Sequence, residues 1–335
     1  MKLLYLSCHA ILEYDELRLF EELGIDYFSL GSYINPQAPV DPIRPALNHK
    51  PDPWLLANAP DRDNMPQEFI DKFDVIVVMH KKEWIINNWE KIKHKKVIWR
   101  TIGQSTPAYE RELWKCRQEG LLVVRYSKRE VNIQDQIGAD TVIPFYKDPK
   151  EFEGYNGLNS EAIIFHQDLK NRNDFVGYKH VVNILQGFPA HVYGPNNQNL
   201  GELNGGYLTY EEMRQKMRDA RVYLYTGTQP ASYTLNLIEA MMTGIPVVAI
   251  GPGLWNSLNL AGDVYEIPDI IQNAVNGFVS DDIARLRSYI EYLLRDTETA
   301  KRVGQMGRQT AIARFGMDMV KSKWDDFFKK ICQNQ

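Results

Sequence analysis

Cysteine is scarce. Three occur in 335 residues (Cys8, Cys116 and Cys332), too few and too scattered for a disulfide framework or a thiolate zinc site. No apolar run approaches the length of a membrane span, so no integral membrane segment is expected, and peripheral attachment to a membrane stays open. A dominant charge is lacking too: the net charge of -4 gives no argument for a large nucleic-acid footprint. The basic run over 91–96 leads into Val97-Ile98-Trp99 and reads as a solvated strand entrance. The opening stretch over 1–7 is too short and too quickly polar for a signal peptide, and the expected compartment is the cytoplasm. No repeat or low-complexity tract stands out.

What is present is an alternation. Short apolar runs are separated by amphipathic helical segments, the pattern of α/β layers with parallel sheets. Strands are expected over 3–6, 74–79, 96–99 and 121–124, with a helix over 16–23. The second half repeats the pattern with strands over 162–165, 191–193, 222–225 and 246–250. Helices over 281–295 and 298–314 close it, and a last helix over 317–331 carries Trp324, Phe327 and Phe328, which need an apolar surface to cover. At this length two domains are expected. The polar stretch over 151–160 is the candidate linker, giving one Rossmann-like domain over 1–150, completed by 317–335, and a second over 151–316.

The alternation fails between Tyr33 and Pro66, where Pro36, Pro39, Pro42, Pro45, Pro51, Pro53, Pro60 and Pro66 fall together. Each proline removes a donor and fixes φ, so neither helix nor central strand is expected here. An ordered lid or acceptor-side loop and a simple surface insertion both fit, with Trp54-Leu55-Leu56 as an anchor to the body. Asp61-Arg62-Asp63 has the D-x-D spelling of metal-dependent transferases but lies in this loop rather than after a strand, and a chance match is the better reading.

The most informative stretch is Ala231-Ser-Tyr-Thr-Leu-Asn-Leu-Ile-Glu239, continuing through Gly244 into Pro246-Val-Val-Ala249. It reads as a polar loop, a short helix carrying one acid, a glycine stop and a buried strand. In open parallel sheets, ligands sit beyond the carboxyl ends of strands. The amides of Tyr233, Thr234 and Leu235 at the helix start would face an anion, and Glu239 on the same helix could accept two ribose hydroxyls. A capped helix with a solvent-facing glutamate is the plain alternative for such a pattern standing alone.

It does not stand alone. The stretch resembles the C-terminal signature of GT-B-fold glycosyltransferases of the family 4 type, in which an E-x7-E motif precedes A-M-x-x-G-x-P-V-V-A. Glu239 matches the second acid, which in that family binds the nucleotide ribose. The segment from Glu266 to Phe278 is similar to the family's E-x-x-x-x-G-x-N-G-F, and 143–152 to its I-P-N-G-V-D-P-x-x-F linker. The helix over 300–315 is similar to its terminal helix, so the likeness runs over 140–316, while the first 140 residues match in layout only.

The resemblance implies two Rossmann-like domains facing each other across a cleft, with the last helix crossing back to the first and Trp324 at the join. The C-terminal domain would bind a nucleotide-diphosphate sugar as donor substrate, with no tightly bound cofactor and no metal. Cleft closure would exclude water while the sugar passes, with retention, to an acceptor hydroxyl. The acceptor is left open among glycan, lipid-linked, small-molecule and nucleic-acid hydroxyls. Lys170 or Arg172 would neutralise the diphosphate, against a solvated loop as the competing reading. Gly194 and the Tyr207-Leu208 pair match positions that hold the nucleobase, with Tyr207 or Tyr210 stacking on it. Arg100, at the end of an N-domain strand, could reach the phosphates across the cleft, and His9 and His80 are candidate acceptor-side bases or donors.

Three departures qualify this. The first acid of the motif is Ala231, the family's T-x-H-G loop has Ile102 in place of histidine, and the basic residues after the second domain's first strand are off their usual spacing. Losing the first acid removes a carboxylate from where positive charge builds in the transition state. Two alternatives therefore accompany the main expectation: a catalytically inactive nucleotide-sugar-binding module, and a transferase glycosylating modified DNA bases.

Overall fold

Runs that are apolar on every residue become strands buried on both faces. Val75–Met79 is one, and the computed structural model of the chain, which describes residues 1–36, 44, 46–103, 105–256 and 263–333 (at 132 the backbone alone), makes it the centre of a parallel sheet. The chain folds as two units, 1–146 with 317–335, and 147–316. The first holds β1 (Lys2–Leu6), β2 (Asp26–Ser29), β3 (Val75–Met79), β4 (Lys96–Arg100), β5 (Leu122–Arg125) and β6 (Thr141–Val142), in the order β2-β1-β3-β4-β5-β6. The order reverses direction between β1 and β3, as in doubly wound folds.

Sequence expectation and structure differ in the first unit at several places. The first helix begins at Ala10 rather than near Glu16, because the His9 imidazole caps it by accepting the Leu12 amide at 3.3 Å. β2 was not anticipated, being short and opening on a charged residue. A short helix, Pro53–Ala57, forms inside the proline-rich window, where none was expected. Its proline sits in the first turn, where a missing N–H costs nothing, and Asp52 caps the Trp54 amide at 2.9 Å. Leu55 is buried there while Leu56 is exposed. The lid expectation for the window falls partly on 37–43 and 45, outside the described residues. The helix Met317–Gln333 belongs to this unit, with Trp324 fully buried, stacked on Phe328 (5.2 Å) and edge-on to Phe20 (5.4 Å).

The second unit holds β7 (Asn159–Phe165), β8 (Ala190–Tyr193), β9 (Asn204–Gly206), β10 (Ala220–Tyr225), β11 (Val247–Ile250) and β12 (Phe278–Ser280), all parallel, in the order β12-β11-β10-β7-β8-β9. The stretch over 151–160 lies inside this unit, tied to it by the Asn156 and Gly157 amides donating to the Arg218 carbonyl. Local signals set the helices. Thr209 and Glu212 form a capping box before Tyr210–Asp219, and Gly244, left-handed at φ 89°, stops Leu235–Thr243. Gly304 lets the helix Thr297–Phe315 press against that stop, since a Cβ there would overlap the Gly244 carbonyl. Among the described residues no helix is long and apolar enough to cross a membrane.

Candidate functional site

In the second sheet the strand order reverses between β7 and β10, so the chains leaving these strands diverge and open a crevice at their carboxyl ends. Side chains stitch the two strand ends together. Asn236 donates to the Phe165 carbonyl at 3.1 Å, and the His166 Nε2 lies 3.1 Å from the Thr226 hydroxyl. That hydroxyl donates to the Val176 carbonyl at 2.8 Å, which leaves the imidazole Nε2–H as the donor to Thr226. His166 is neutral: burial of its ring, helped by nearby Arg172, pushes its pKa down to about 3. Asn197 ties the neighbouring strand end by donating to the His166 carbonyl at 2.6 Å and the Gly194 carbonyl at 3.1 Å. Gly194 stands at φ 141° with its backbone against His166, where any Cβ would overlap the His166 carbonyl.

The helix Leu235–Thr243 starts at this crevice. Of the three amides expected to face an anion, that of Thr234 is already used: it donates to the Tyr225 hydroxyl at 3.0 Å, and the Thr234 hydroxyl lies 3.3 Å from the same oxygen. Tyr233 turns its ring into the interior against Phe315, 5.4 Å between centroids. Leu235, the third expected amide, and Asn236 begin the helix, and the first amides of a helix have no intrahelical acceptor. Burial holds the Tyr225 phenol up at about 12, so it stays a neutral anchor.

Glu239 follows one turn later and is buried. Its Oε1 lies 2.8 Å from Nζ of Lys147, a residue that sequence reasoning does not single out. The one signal for it is a lone lysine closing the otherwise apolar run Ile143-Pro-Phe-Tyr146. Ala231, where the resembled motif has its first acid, is buried with its amide on the Thr228 carbonyl at 2.8 Å. Trp255 is a second residue the sequence does not flag. It is fully buried, its Nε1 has no hydrogen-bond partner among the described residues, and that nitrogen would stand 3.3 Å from a Cβ on Gly227 in the loop after β10.

The other expected residues divide by place. Lys170 is exposed and Arg172 half-buried in the loop after β7, where the Arg172 guanidinium reaches the Gln167 carbonyl at 3.4 Å. Tyr207 is 67% exposed just past β9, with Leu208 half-buried beside it, and Tyr210 donates to Glu151 at 3.1 Å. His9, His80 and Arg100 belong to the first unit. His9 caps a helix, as above. His80 follows β3 at φ 61° with its ring stacked on Tyr109 (4.9 Å, 7°), and burial followed by the Lys81 charge lowers its pKa. Arg100 differs most from expectation: it is fully buried, its Nε 2.8 Å from Glu16 and its other nitrogens on the Ile143 and Pro144 carbonyls (2.6 and 3.3 Å). A guanidinium so committed inside its own unit is a core tie. Asp61 accepts the Asp63 amide at 2.8 Å and closes a local turn, and among the described residues no three His, Cys, Asp or Glu gather as metal ligands would.

Residues 178–320 match a family model described as glycosyl transferase-like. Among curated proteins the chain is similar to the alpha-maltose-1-phosphate synthase of Mycobacterium tuberculosis, 28% identical over 133 residues, which are 37% of this chain and 31% of that relative. Among solved structures it is similar to Anabaena Alr3699/HepE in complex with UDP (15% identity, TM-score 0.66, covering 98% of this chain and 100% of that one), also solved with UDP-glucose. It is likewise similar to the sucrose-phosphate synthase of Thermosynechococcus elongatus (13%, TM-score 0.69, 100% of both chains). An alpha-glucosyltransferase in complex with UDP and a 13-mer DNA containing a HMU base also shares the fold (9%, TM-score 0.61, 97% and 98%).

Proposed function

We propose that this chain, a glycosyltransferase of the GT-B fold and family 4-like type, takes a nucleotide-diphosphate sugar as donor at the β7/β10 crevice and passes the sugar to an acceptor hydroxyl with retention. The observation that carries the reading is a coincidence of two independent features. The strand order puts a ligand crevice where the helix Leu235–Thr243 begins, and that helix with Glu239 lies inside the glycosyl transferase-like match. The roles follow from chemistry. Helix-start amides at Leu235 and Asn236 favour the diphosphate, with Lys170 and Arg172 adding charge from the facing loop. Glu239 accepts ribose hydroxyls, and Tyr207 stacks on the base. Amides and cations suffice to neutralise a diphosphate, so the reaction proceeds without a metal. His9 and His80 serve the acceptor in the first unit, and the protein works in the cytoplasm.

A second reading is favoured by one observation, the buried alanine at 231 in place of an acid. A nucleotide-sugar-binding module without turnover would have the same donor site. Calorimetric titration of UDP, GDP, ADP and TDP, and of their common sugar conjugates, into wild type and Glu239→Ala tests the donor reading. Selective binding of one nucleotide, weakened about tenfold or more in the variant, is expected. No binding to any of them would sink it. Donor hydrolysis or transfer in the presence of EDTA then separates an enzyme from a silent binder.

A further inference from the structure

Lys147 and Glu239 meet at the site itself, Lys147 fully buried and Glu239 almost so, their side chains 0% and 4% exposed with Nζ and Oε1 2.8 Å apart. Taking two charges out of water costs several kcal/mol per ion, which their mutual attraction repays only in part. A site needing only a filled interior would be served as well by two apolar side chains. The pair has a different effect: an ammonium in contact with one oxygen of a carboxylate fixes which way the carboxylate is turned.

Lys147 is itself held. Its amide donates to the Phe315 carbonyl at 3.0 Å, and its Nζ lies 5.7 Å from the Phe152 ring centroid. Phe315 ends the long helix Thr297–Phe315, which also bonds the helix of Glu239 through the Arg308 guanidinium on the Met242 carbonyl. Cation and carboxylate are therefore tied to one pair of helices, with Oε1 in contact with the ammonium.

We propose that Lys147 is a positioning residue for ribose: it holds Glu239 turned by Oε1, so that Oε2 accepts the ribose hydroxyls of the donor nucleotide. This rests on the donor reading above and adds to it a group that selects ribonucleotides over their deoxy counterparts.

The test is a titration of UDP, 2′-deoxy-UDP and 3′-deoxy-UDP into the full chain as wild type, Lys147→Arg and Lys147→Met. Wild type should bind UDP about 10- to 100-fold more tightly than at least one deoxy analogue, the range for a hydrogen bond to a charged group. In Lys147→Met the ratio should fall toward one while affinity for that analogue is largely kept, and Lys147→Arg should keep more of the ratio than Lys147→Met. Equal weakening toward all three ligands, with the ratio intact, would make Lys147 a structural residue and overturn the proposal, as would the reverse order of the two variants. If Lys147→Met does not fold, the double variant Lys147→Met/Glu239→Gln, which removes both charges, takes its place; a retained ratio there overturns the proposal. A wild type that binds UDP without discriminating defeats this inference and spares the donor reading, whereas a wild type that binds no nucleotide defeats both.

Discussion

Arg100 and Glu16 stand 84 positions apart and meet as an ion pair in the interior of the first unit, Nε to Oε1 at 2.8 Å. The same carboxylate accepts the Tyr5 hydroxyl, so β1, the first helix and β4 converge on it. Breaking a buried pair from one side leaves a charge without compensation, at about 3–5 kcal/mol. Arg100→Met should lower the urea unfolding free energy by that amount. Under conditions where the variant stays folded, its affinity for UDP should match wild type. A large loss of affinity in folded protein would return Arg100 to the phosphate role.

Glu130 gives the unit an unusual response to pH. Its Oε2 accepts the Thr101 hydroxyl at 2.7 Å, and burial lifts the carboxyl to about 7, Arg125, the Thr101 bond and Arg100 opposing the rise and Glu110 adding to it. The folded pKa exceeds the unfolded value of about 4.3, so the fold prefers the neutral acid. Its stabilisation is complete below the unfolded pKa and is lost as pH rises through about 7. Glu130→Gln keeps an acceptor for Thr101 without the charge. Urea unfolding at pH 8 should find the variant more stable than wild type by about 2–4 kcal/mol, with the gap closing at pH 5. A gap of the same size at both values would show that the carboxyl does not titrate this way.

Tyr207, just past the edge strand β9, presents a ring that is two-thirds exposed. Stacking on a base is worth about 1–3 kcal/mol. Tyr207→Ala should weaken UDP binding by about 5- to 100-fold and leave the melting temperature unchanged, since little of the ring is buried. Unchanged affinity in calorimetry would remove the base-stacking role.

Much of this architecture was legible because its signals are local. β3 and the stretch 222–225 of β10 are continuous apolar runs, and the glycine stop at Gly244 followed by Pro246-Val247-Val248 marks helix end and strand start within a few residues. β2, β6, β9 and β12 escaped notice because two to four residues, some polar, carry too little periodicity. The helix at Pro53 escaped because proline was weighed as a breaker, and its tolerance in a first turn depends on the cap before it. The place of Glu239 on a helix behind a polar loop was legible too. Lys147 and the fate of Arg100 were not, because an ion pair between distant positions leaves no mark on either neighbourhood. The Thr234 amide was lost to Tyr225 for the same reason: the acceptor lies nine positions back, on the preceding strand.

The first unit is assembled from two separated segments, residues 1–146 and 317–335, and Trp324 and Phe328 close over Phe20. On the ribosome, then, residues 1–146 are made before the second unit and completed after it. Their aromatic face around Phe20 must wait uncovered while the whole of 147–316 emerges and folds. A chain ending at Gly316 would retain an intact second unit and carry a first unit with an open seam, and such a fragment should bind a chaperone or aggregate through that seam alone.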